Sequence, residues 1–321
     1  MEVAKENSYL HNVLDAAGLE ARYDEHAKRI LADKEIMAWI LKYTVREVSG
    51  YSVEEIKDFI EGECEINTIS IIPGRTNQSI LGSQNEDKVP GEGETKFDLR
   101  TYIRIPGSKE HERIKIIINL EAQKSFYPGY DLLKRALYYP SRLLSSQMNV
   151  EFDVHTYDKM KPVYSIWILF DCPKKAQDSI VYIHNTAESI YGNNWVRGDN
   201  VNYTNTLLIG LPKDGTKSEN LLIRLLATVF SDKMKVAGKL EVLEKEYAIS
   251  SSTLFEEVTK MCDLGHGIFE DGKIKGLEEG KIRTLVQLVK NGMLEKNAAA
   301  SVAGVSEEEF SRYLTMPEYV G

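Results

Sequence analysis

Two neighbouring segments of the chain alternate polar and apolar residues, which is the pattern of half-buried β-strands. Residues 96–105 read KFDLRTYIRI, and residues 113–123 read RIKIIINLEAQ. The loop between them is short and contains Pro-Gly, so the two strands are expected to form an antiparallel hairpin. A turn centred in the middle of this loop places Asp98 directly opposite Glu121. A register shift of two residues leaves both carboxylates on the same face of the sheet.

The sequence before this hairpin predicts two helices and a strand. Asp33 is a suitable N-cap for a helix that extends to about Val48. Ser52 and Glu55 have the spacing of a capping box, which predicts a second and shorter helix. The run INTISIIPG, residues 66–74, is typical of a strand. Residues 1–32 are polar with weak periodicity, and no function is predicted for them.

The sequence after the hairpin predicts a helix followed by a buried strand. Residues 129–147 have helical spacing, and Pro140 is expected to kink or split that helix. Residues 162–171, PVYSIWILFD, are almost continuously apolar. Such a run suits an interior strand with a parallel neighbour, reached by a helical crossover. The predicted fold class is therefore α/β, with a mixed central sheet flanked by helices.

The length of 321 residues favours one large domain and a smaller appendage. The boundary is expected near residue 265, giving an α/β domain over 1–264 and a tail over 265–321. The tail opens with glycines spaced four residues apart, which suggests a linker, and continues with predicted helices. Its last helix pair resembles a helix-turn-helix, although the second helix opens with three glutamates at 307–309, the wrong charge for a DNA groove. Docking or self-association into a homo-oligomer is the alternative role of this tail.

Several classes of protein are excluded or disfavoured by simple features. No apolar run reaches the ~18 residues of a membrane span, and the first residues lack the order of a signal peptide, so the cytoplasm is the expected location and no membrane partner is expected. The three cysteines are far apart in sequence, which argues against a disulfide framework or a zinc site. The six histidines lack the spacing of a metal site or a catalytic triad.

The charge distribution is compatible with a polyanionic partner, and a solvated charged face is the alternative. The whole chain has a net charge of −9, yet the segment from Lys96 to Arg142 has ten basic residues and only five acidic ones. A locally basic segment on an acidic protein attracts DNA to one surface. Arg100, Arg135 and Arg142 are the predicted phosphate ligands, because guanidinium groups match phosphate oxygens.

The opposed carboxylates of Asp98 and Glu121 repel each other, which predicts a compensating cation. Ordinary solvation of each carboxylate on the polar strand face is the alternative. Mg²⁺ suits one or two carboxylates together with a phosphate oxygen and water. Gln123 lies on the same strand face as Glu121 and is able to hold a water molecule through its amide. At such a site the metal would polarise a phosphodiester and activate the attacking water.

An ordered set of motifs resembles the PD-(D/E)xK nuclease superfamily. The set consists of FDLR at 97–100, IIINLEAQK at 116–124, a helix with Arg135 followed by tyrosines, and VYSIWIL at 163–169. It is most similar to the recombination-promoting nuclease and transposase-associated branch, which has E-x-Q in place of E-x-K. The resemblance covers roughly residues 33–280, and the glycine-repeat tail is also characteristic of that branch.

The resemblance implies a restriction-endonuclease-like core that cuts DNA with Mg²⁺, for which Mn²⁺ is the expected substitute. Asp98 and Glu121 would be metal ligands, and Gln123 would occupy the position that usually holds lysine. Because a neutral amide does not replace the charge of lysine, an inactive DNA-binding or protein-binding descendant is the alternative. Lys124 is a further candidate catalytic residue that replaces Gln123 only if a β-bulge turns it inward, and Arg135 of the following helix is the other possible source of positive charge.

Glu47 is a further candidate metal ligand, since members of the superfamily often have an acidic residue on the first helix. Its position on the apolar stripe of the predicted helix indicates a buried carboxylate, which would need a partner such as a metal. Exposure at the end of the helix is the alternative. Tyr127, Tyr130 and Tyr139 are able to stack on bases near the basic helix, with core packing as their alternative role.

Overall fold

The computed structural model describes residues 22–66, 86–89, 93–96, 98–107, 113–196, 201–213 and 217–316. The chain divides into two compact units. Asp24–Cys262 forms the larger unit, and the smaller one contains the chain from Asp263 onward.

The fold is α/β, with a mixed sheet flanked by helices. The strands are β1 (Ile60–Ile66), β2 (Glu86–Val89), β3 (Gly93–Lys96), β4 (Leu99–Pro106), β5 (Arg113–Ser125), β6 (Val163–Asp171), β7 (Ser179–His184) and β8 (Thr204–Gly210). The described helices are α1 (22–32), α2 (Lys34–Thr44), α3 (Val53–Phe59), α4 (Leu132–Ser145), α5 (Leu221–Phe230), α6 (Val236–Tyr247), α7 (Ser252–Lys290), α8 (Lys296–Ala303) and α9 (Glu307–Tyr313).

Six strands form the central sheet in the order β1-β4-β5-β6-β8-β7. Strand β5 pairs antiparallel with β4 and parallel with β6, and β6 pairs parallel with β8. The apolar run 163–171 is thus an interior strand with parallel neighbours on both sides, as predicted. Strands β2 and β3 form a separate two-stranded sheet.

Helix α4 covers one face of the central sheet. Its buried residues Leu132, Ala136 and Leu143 pack in one cluster with side chains of the strands, including Ile117 and Trp167. The opposite face lies against the segment that follows α2. Tyr164, a neighbour in sequence of the α4-facing Val163, points to that other face, and its hydroxyl donates to Glu47 Oε2 at 2.6 Å.

Pro140 does not split α4, which continues without interruption from Leu132 to Ser145. Proline has no N–H, so the carbonyl of Ala136 loses the hydrogen bond that residue 140 would otherwise donate. The hydroxyl of Thr206 on β8 donates to this carbonyl at 3.3 Å. A strand of the underlying sheet therefore satisfies the acceptor that proline leaves open.

The predicted helix caps are confirmed, but two predicted boundaries were wrong, because α2 ends at Thr44 and not near Val48, and the strand after α3 begins before residue 66. Asp33 accepts from the amide of Glu35, and Ser52 and Glu55 form both hydrogen bonds of a capping box. Helix α3 ends at Phe59 because Ile60 already pairs with Ile103 of β4, so β1 begins before the predicted strand. Residues 67–74 of that predicted strand lie outside the described residues.

The smaller unit has its own apolar cluster. The end of α7 contributes Leu285 and Val286, α8 contributes Ala299 and Ala300, and α9 contributes Phe310. The segment with the three spaced glycines is helical and belongs to α7. Glycine costs only about 1 kcal/mol in a helix, and the surrounding Lys, Glu and Leu are strong helix formers.

Among the described residues, no helix is both long enough and apolar enough to cross a membrane.

Candidate functional site

The predicted register of the β4–β5 hairpin is confirmed. Leu99 pairs with Leu120 and Arg100 pairs with Asn119, so the next position along each strand places Asp98 opposite Glu121. Two hydrogen bonds lock the pair in place. The amide of Asp98 donates to Glu121 Oε1 at 3.1 Å, and the amide of Ala122 donates to Asp98 Oδ2 at 3.0 Å.

Glu121 is a buried carboxyl group with 2% of its surface exposed. Burial raises the pKa of Glu121 well above its ordinary value, and the negative charge of Asp98 raises it further. The amide of Asp98, the guanidinium of Arg135 and the side chain of Asn119 oppose this rise in pKa. The buried site therefore favours the protonated form of Glu121 more strongly than an exposed position would, and a bound cation would oppose this shift.

Asn119 connects Glu121 to the core of the sheet. In the orientation that satisfies both ends of its amide, its nitrogen donates to Glu121 Oε1 at 3.2 Å and its oxygen accepts from Ser165 Oγ at 3.2 Å. Ser165 Oγ in turn accepts from Trp167 Nε1 at 2.9 Å. All three of these supporting side chains are fully buried. The orientation of the Glu121 carboxyl group is thus set by a rigid chain of hydrogen bonds.

Arg135 is the cation of α4 that faces Glu121, at 3.9 Å from its Oε2. Its guanidinium donates to the hydroxyl groups of Tyr130 and Tyr139 and lies 5.3 Å from the ring centroid of Trp167. Burial raises the pKa of Tyr139, so this phenol remains neutral and accepts the guanidinium N–H. Three aromatic side chains therefore fix the position of Arg135 beside the acidic pair.

Lys28 is a site residue that sequence reasoning missed. Its ammonium lies 3.0 Å from Asp98 Oδ1 and 2.7 Å from Asp24 Oδ2, and its side chain is only 16% exposed. Lys28 and Asp24 lie four residues apart on α1, a spacing that predicts a helical ion pair. That spacing gave a local signal, but nothing in the sequence indicated that α1 lies beside the hairpin.

Gln123 is on the strand face that was predicted, but its amide nitrogen donates to the carbonyl of Ser125 at 2.8 Å. Lys124 was predicted to reach the site only through a β-bulge. The pairing of β5 with β6 is regular from Ile117 to Gln123, so Lys124 lies on the opposite strand face and is exposed. The inclusion of Lys124 among the catalytic residues was therefore wrong.

Glu47 is not brought to the acidic pair, and its prediction as a metal ligand was wrong. Helix α2 ends at Thr44, so Glu47 falls in the following 3-10 turn and is exposed instead of lying on a buried helical stripe. Its carboxylate accepts a hydrogen bond from Tyr164, whose side chain is on the sheet face opposite Glu121. Glu47 is therefore exposed after the end of the helix, which was the alternative to a buried carboxylate.

The three predicted phosphate ligands have different environments. Arg100 is only 7% exposed, with its guanidinium 5.4 Å from the ring centroid of Tyr102, so it is not a surface clamp. Arg135 is held beside Glu121. Arg142 is partly exposed, and its guanidinium lies 5.8 Å from the ring centroid of Tyr138. Arg100 is buried because its part of the polar face of β4 is covered in the folded protein, whereas Arg104 on the same face is exposed.

Helix α4 and the turn before it expose an apolar and aromatic surface next to Arg135. This α4 surface consists of Tyr127, Tyr130, Leu133, Leu137 and Tyr138. Lys134, which is 84% exposed, lies among these residues. Tyr139, by contrast, is buried at 4% exposure, so of the three tyrosines that were considered for base stacking only Tyr127 and Tyr130 remain available.

The donor set suits a cation that needs few protein ligands. Within the described ranges, no group of three or more His, Cys, Asp or Glu side chains is placed to hold a metal ion. Asp98 and Glu121 therefore offer two carboxylates and no third acidic ligand. This set fits Mg²⁺, which completes its coordination with water and substrate oxygens, and does not fit a site enclosed by protein ligands, as structural zinc requires.

No family model matches the chain, and the searches of curated proteins and of solved structures gave no significant match.

Proposed function

We propose that this protein is a metal-dependent DNA endonuclease of the PD-(D/E)xK type that acts in recombination or on mobile elements. The observation that carries the proposal is the opposed pair Asp98 and Glu121, held together by two backbone hydrogen bonds at the end of a β-hairpin. The order of antiparallel hairpin, helix α4 and parallel strand β6 supports a restriction-endonuclease-like core.

Asp98 and Glu121 would hold Mg²⁺, with Mn²⁺ as the substitute. The bound ion supplies Lewis acidity and lowers the pKa of the attacking water. Burial of Glu121 supports this assignment, because its carboxylate is costly to ionise without a nearby cation. Gln123 points to the same face, and its amide oxygen is available to orient a water molecule.

The α4 surface supports DNA as the substrate. Tyrosine rings on the surface are able to stack on bases that leave the duplex, and Lys134 and Arg142 offer positive charge for the phosphates. Arg135 lies between this surface and Glu121, where its guanidinium is able to contact a phosphate and remain bonded to tyrosine hydroxyls.

Nicking of supercoiled plasmid tests the proposed reaction. Wild type, Asp98→Asn and Glu121→Gln are incubated with plasmid in Mg²⁺, Mn²⁺ or EDTA, and each protein is checked for folding by circular dichroism. We expect nicking that requires metal and falls at least about 100-fold in both variants. Glu54→Gln, at an exposed glutamate of α3 that forms an ion pair with Lys57, is the matched control and should retain activity. Equal nicking by wild type and Glu121→Gln would refute the proposal.

A second candidate is a nuclease fold that binds DNA without cleaving it. The contacts of Lys28 and Arg135 favour it, since two side-chain cations already compensate the acidic pair. Millimolar Mg²⁺ without DNA separates the two candidates. If the metal site is intact, Mg²⁺ should raise the melting temperature of wild type and not that of Asp98→Asn, since a ligand bound only by the folded state stabilises that state. Binding of DNA together with no metal shift and no nicking favours the second candidate.

A further inference from the structure

The ammonium of Lys28 occupies the one oxygen of Asp98 that the hairpin backbone leaves open. Asp98 Oδ2 accepts from the amide of Ala122, and Asp98 Oδ1 is 3.0 Å from Lys28 Nζ. Any other cation that uses Oδ1 of Asp98 must share it with Lys28 or displace it. The two charged side chains are largely enclosed, with 16% and 20% of their surfaces exposed, so their interaction is weakly screened.

The two cations of the site differ in their freedom to move. Arg135 donates to Tyr130 and Tyr139 and lies against Trp167, so its guanidinium is fixed. Lys28 has a flexible side chain and a second acceptor, because Asp24 Oδ2 lies 2.7 Å from the same ammonium. Lys28 is therefore able to release Asp98 and remain paired through Asp24.

A divalent ion at Asp98 would repel the Lys28 ammonium, since like charges a few ångströms apart interact strongly in a partly buried site. A phosphate bound to that ion would attract the same ammonium. Gln123, the neutral residue beside Glu121 on β5, supplies no positive charge, and its amide nitrogen is bonded to Ser125. Lys28 is thus placed to provide a mobile positive charge that Gln123 does not supply.

We propose that Lys28 is an exchangeable counter-ion of the acidic pair. It holds Asp98 Oδ1 in the metal-free protein, gives up this oxygen when a divalent cation binds, and then contacts the phosphate that is to be cleaved. The inference rests on the proposed function and assigns a specific residue of α1 to it.

Substitution of Lys28 is expected to change metal affinity and cleavage in opposite directions. Lys28→Met removes a charge that competes with the metal ion. In calorimetric titrations with Mg²⁺ and no DNA, this variant should therefore reach half-saturation at an Mg²⁺ concentration about fivefold lower than wild type. The same variant should lose about 100-fold in kcat for plasmid nicking, with a smaller change in KM. Lys28→Arg keeps the charge and should recover part of the lost kcat.

The matched control is Lys245→Met. Lys245 also pairs with an acidic residue four positions earlier, Glu241, but on the exposed side of α6. It should leave both the Mg²⁺ affinity and kcat unchanged. A purely structural role of Lys28 predicts that Lys28→Met weakens metal binding and cleavage together, which would overturn the inference.

Failure of this inference is distinguishable from failure of the proposed function. A Lys28→Met variant that nicks DNA as fast as Lys245→Met, while Glu121→Gln is inactive, overturns only the role of Lys28. A wild-type protein that nicks no DNA in Mg²⁺ or Mn²⁺ overturns the proposed function, and with it the phosphate contact assigned to Lys28.

Discussion

The backbone amide of Asp98 donates a hydrogen bond to Oε1 of Glu121 at 3.1 Å, across the end of the β4–β5 hairpin. The side chain of Asp98 in turn accepts from the amide that follows Glu121. Each acidic side chain thus accepts a hydrogen bond from the backbone beside the other one, which holds the two carboxyl groups together. The energetic cost of this arrangement falls on Glu121, the more buried member of the pair.

Replacement of Glu121 by glutamine should stabilise the metal-free protein at neutral and alkaline pH. The pKa of Glu121 is raised in the folded state, first by burial and then by Asp98. The contribution of Glu121 to the stability of the fold is therefore complete below its ordinary pKa of 4.5, and it is lost as pH rises toward the raised pKa of the folded state. Lys28 and Tyr139 also carry titratable groups near this pair, and Arg135 carries a fixed charge.

Melting temperatures measured in EDTA from pH 4.5 to pH 8 check this prediction. The difference between Glu121→Gln and wild type should be smallest at the acidic end and should grow with pH. Glu54→Gln, at an exposed position, should show no such trend. A difference between Glu121→Gln and wild type that is independent of pH would contradict the assigned direction of the pKa shift.

Replacement of Ser165 by alanine should destabilise the fold by about 2 kcal/mol, because it leaves two buried polar groups without a partner. Ser165 accepts from Trp167 Nε1 and contacts the amide of Asn119, and all three residues are fully buried. Urea unfolding measures the loss. Ser145→Ala, at the exposed last residue of α4, should change the free energy of unfolding by less than about 0.5 kcal/mol. Similar unfolding midpoints for the two variants would show that the Ser165 network does not stabilise the fold.

Two glycine substitutions should have opposite effects. A Cβ at Gly210, the last residue of β8, would lie 1.7 Å from the carbonyl oxygen of Ala176, so Gly210→Ala forces the backbone apart. We expect a loss of more than about 3 kcal/mol or a failure to fold. Gly280 in α7 has open space around its Cα, and Gly280→Ala should stabilise the helix by about 0.5–1 kcal/mol. The melting temperatures of both variants, compared with wild type, check these two predictions. A Gly210→Ala protein as stable as wild type would contradict the predicted clash with Ala176.

The local pattern of the sequence predicted the features that depend on short separations along the chain. Strict alternation and a short loop gave the register that places Asp98 opposite Glu121. Side-chain chemistry at the helix starts gave the caps at Asp33 and Ser52. The long apolar run gave an interior strand with parallel neighbours. For the register and the caps, the interacting residues are adjacent or linked by one turn, so their own propensities determine the outcome. The interior strand was predicted from its continuous apolar sequence, although its parallel neighbours lie far away along the chain.

The contacts that complete the candidate site were decided by tertiary packing. Lys28 reaches Asp98, and Arg135 reaches Glu121, only because α1 and α4 are placed beside the same hairpin. The prediction for Glu47 was wrong because α2 ends three residues before it, and periodicity does not define where a helix stops. The sequence by itself determined the acidic pair and the strands that carry it. Which cations face that pair depends on the packing of distant segments, since packing is set by shape and burial across the whole core and not by the pattern of any single segment.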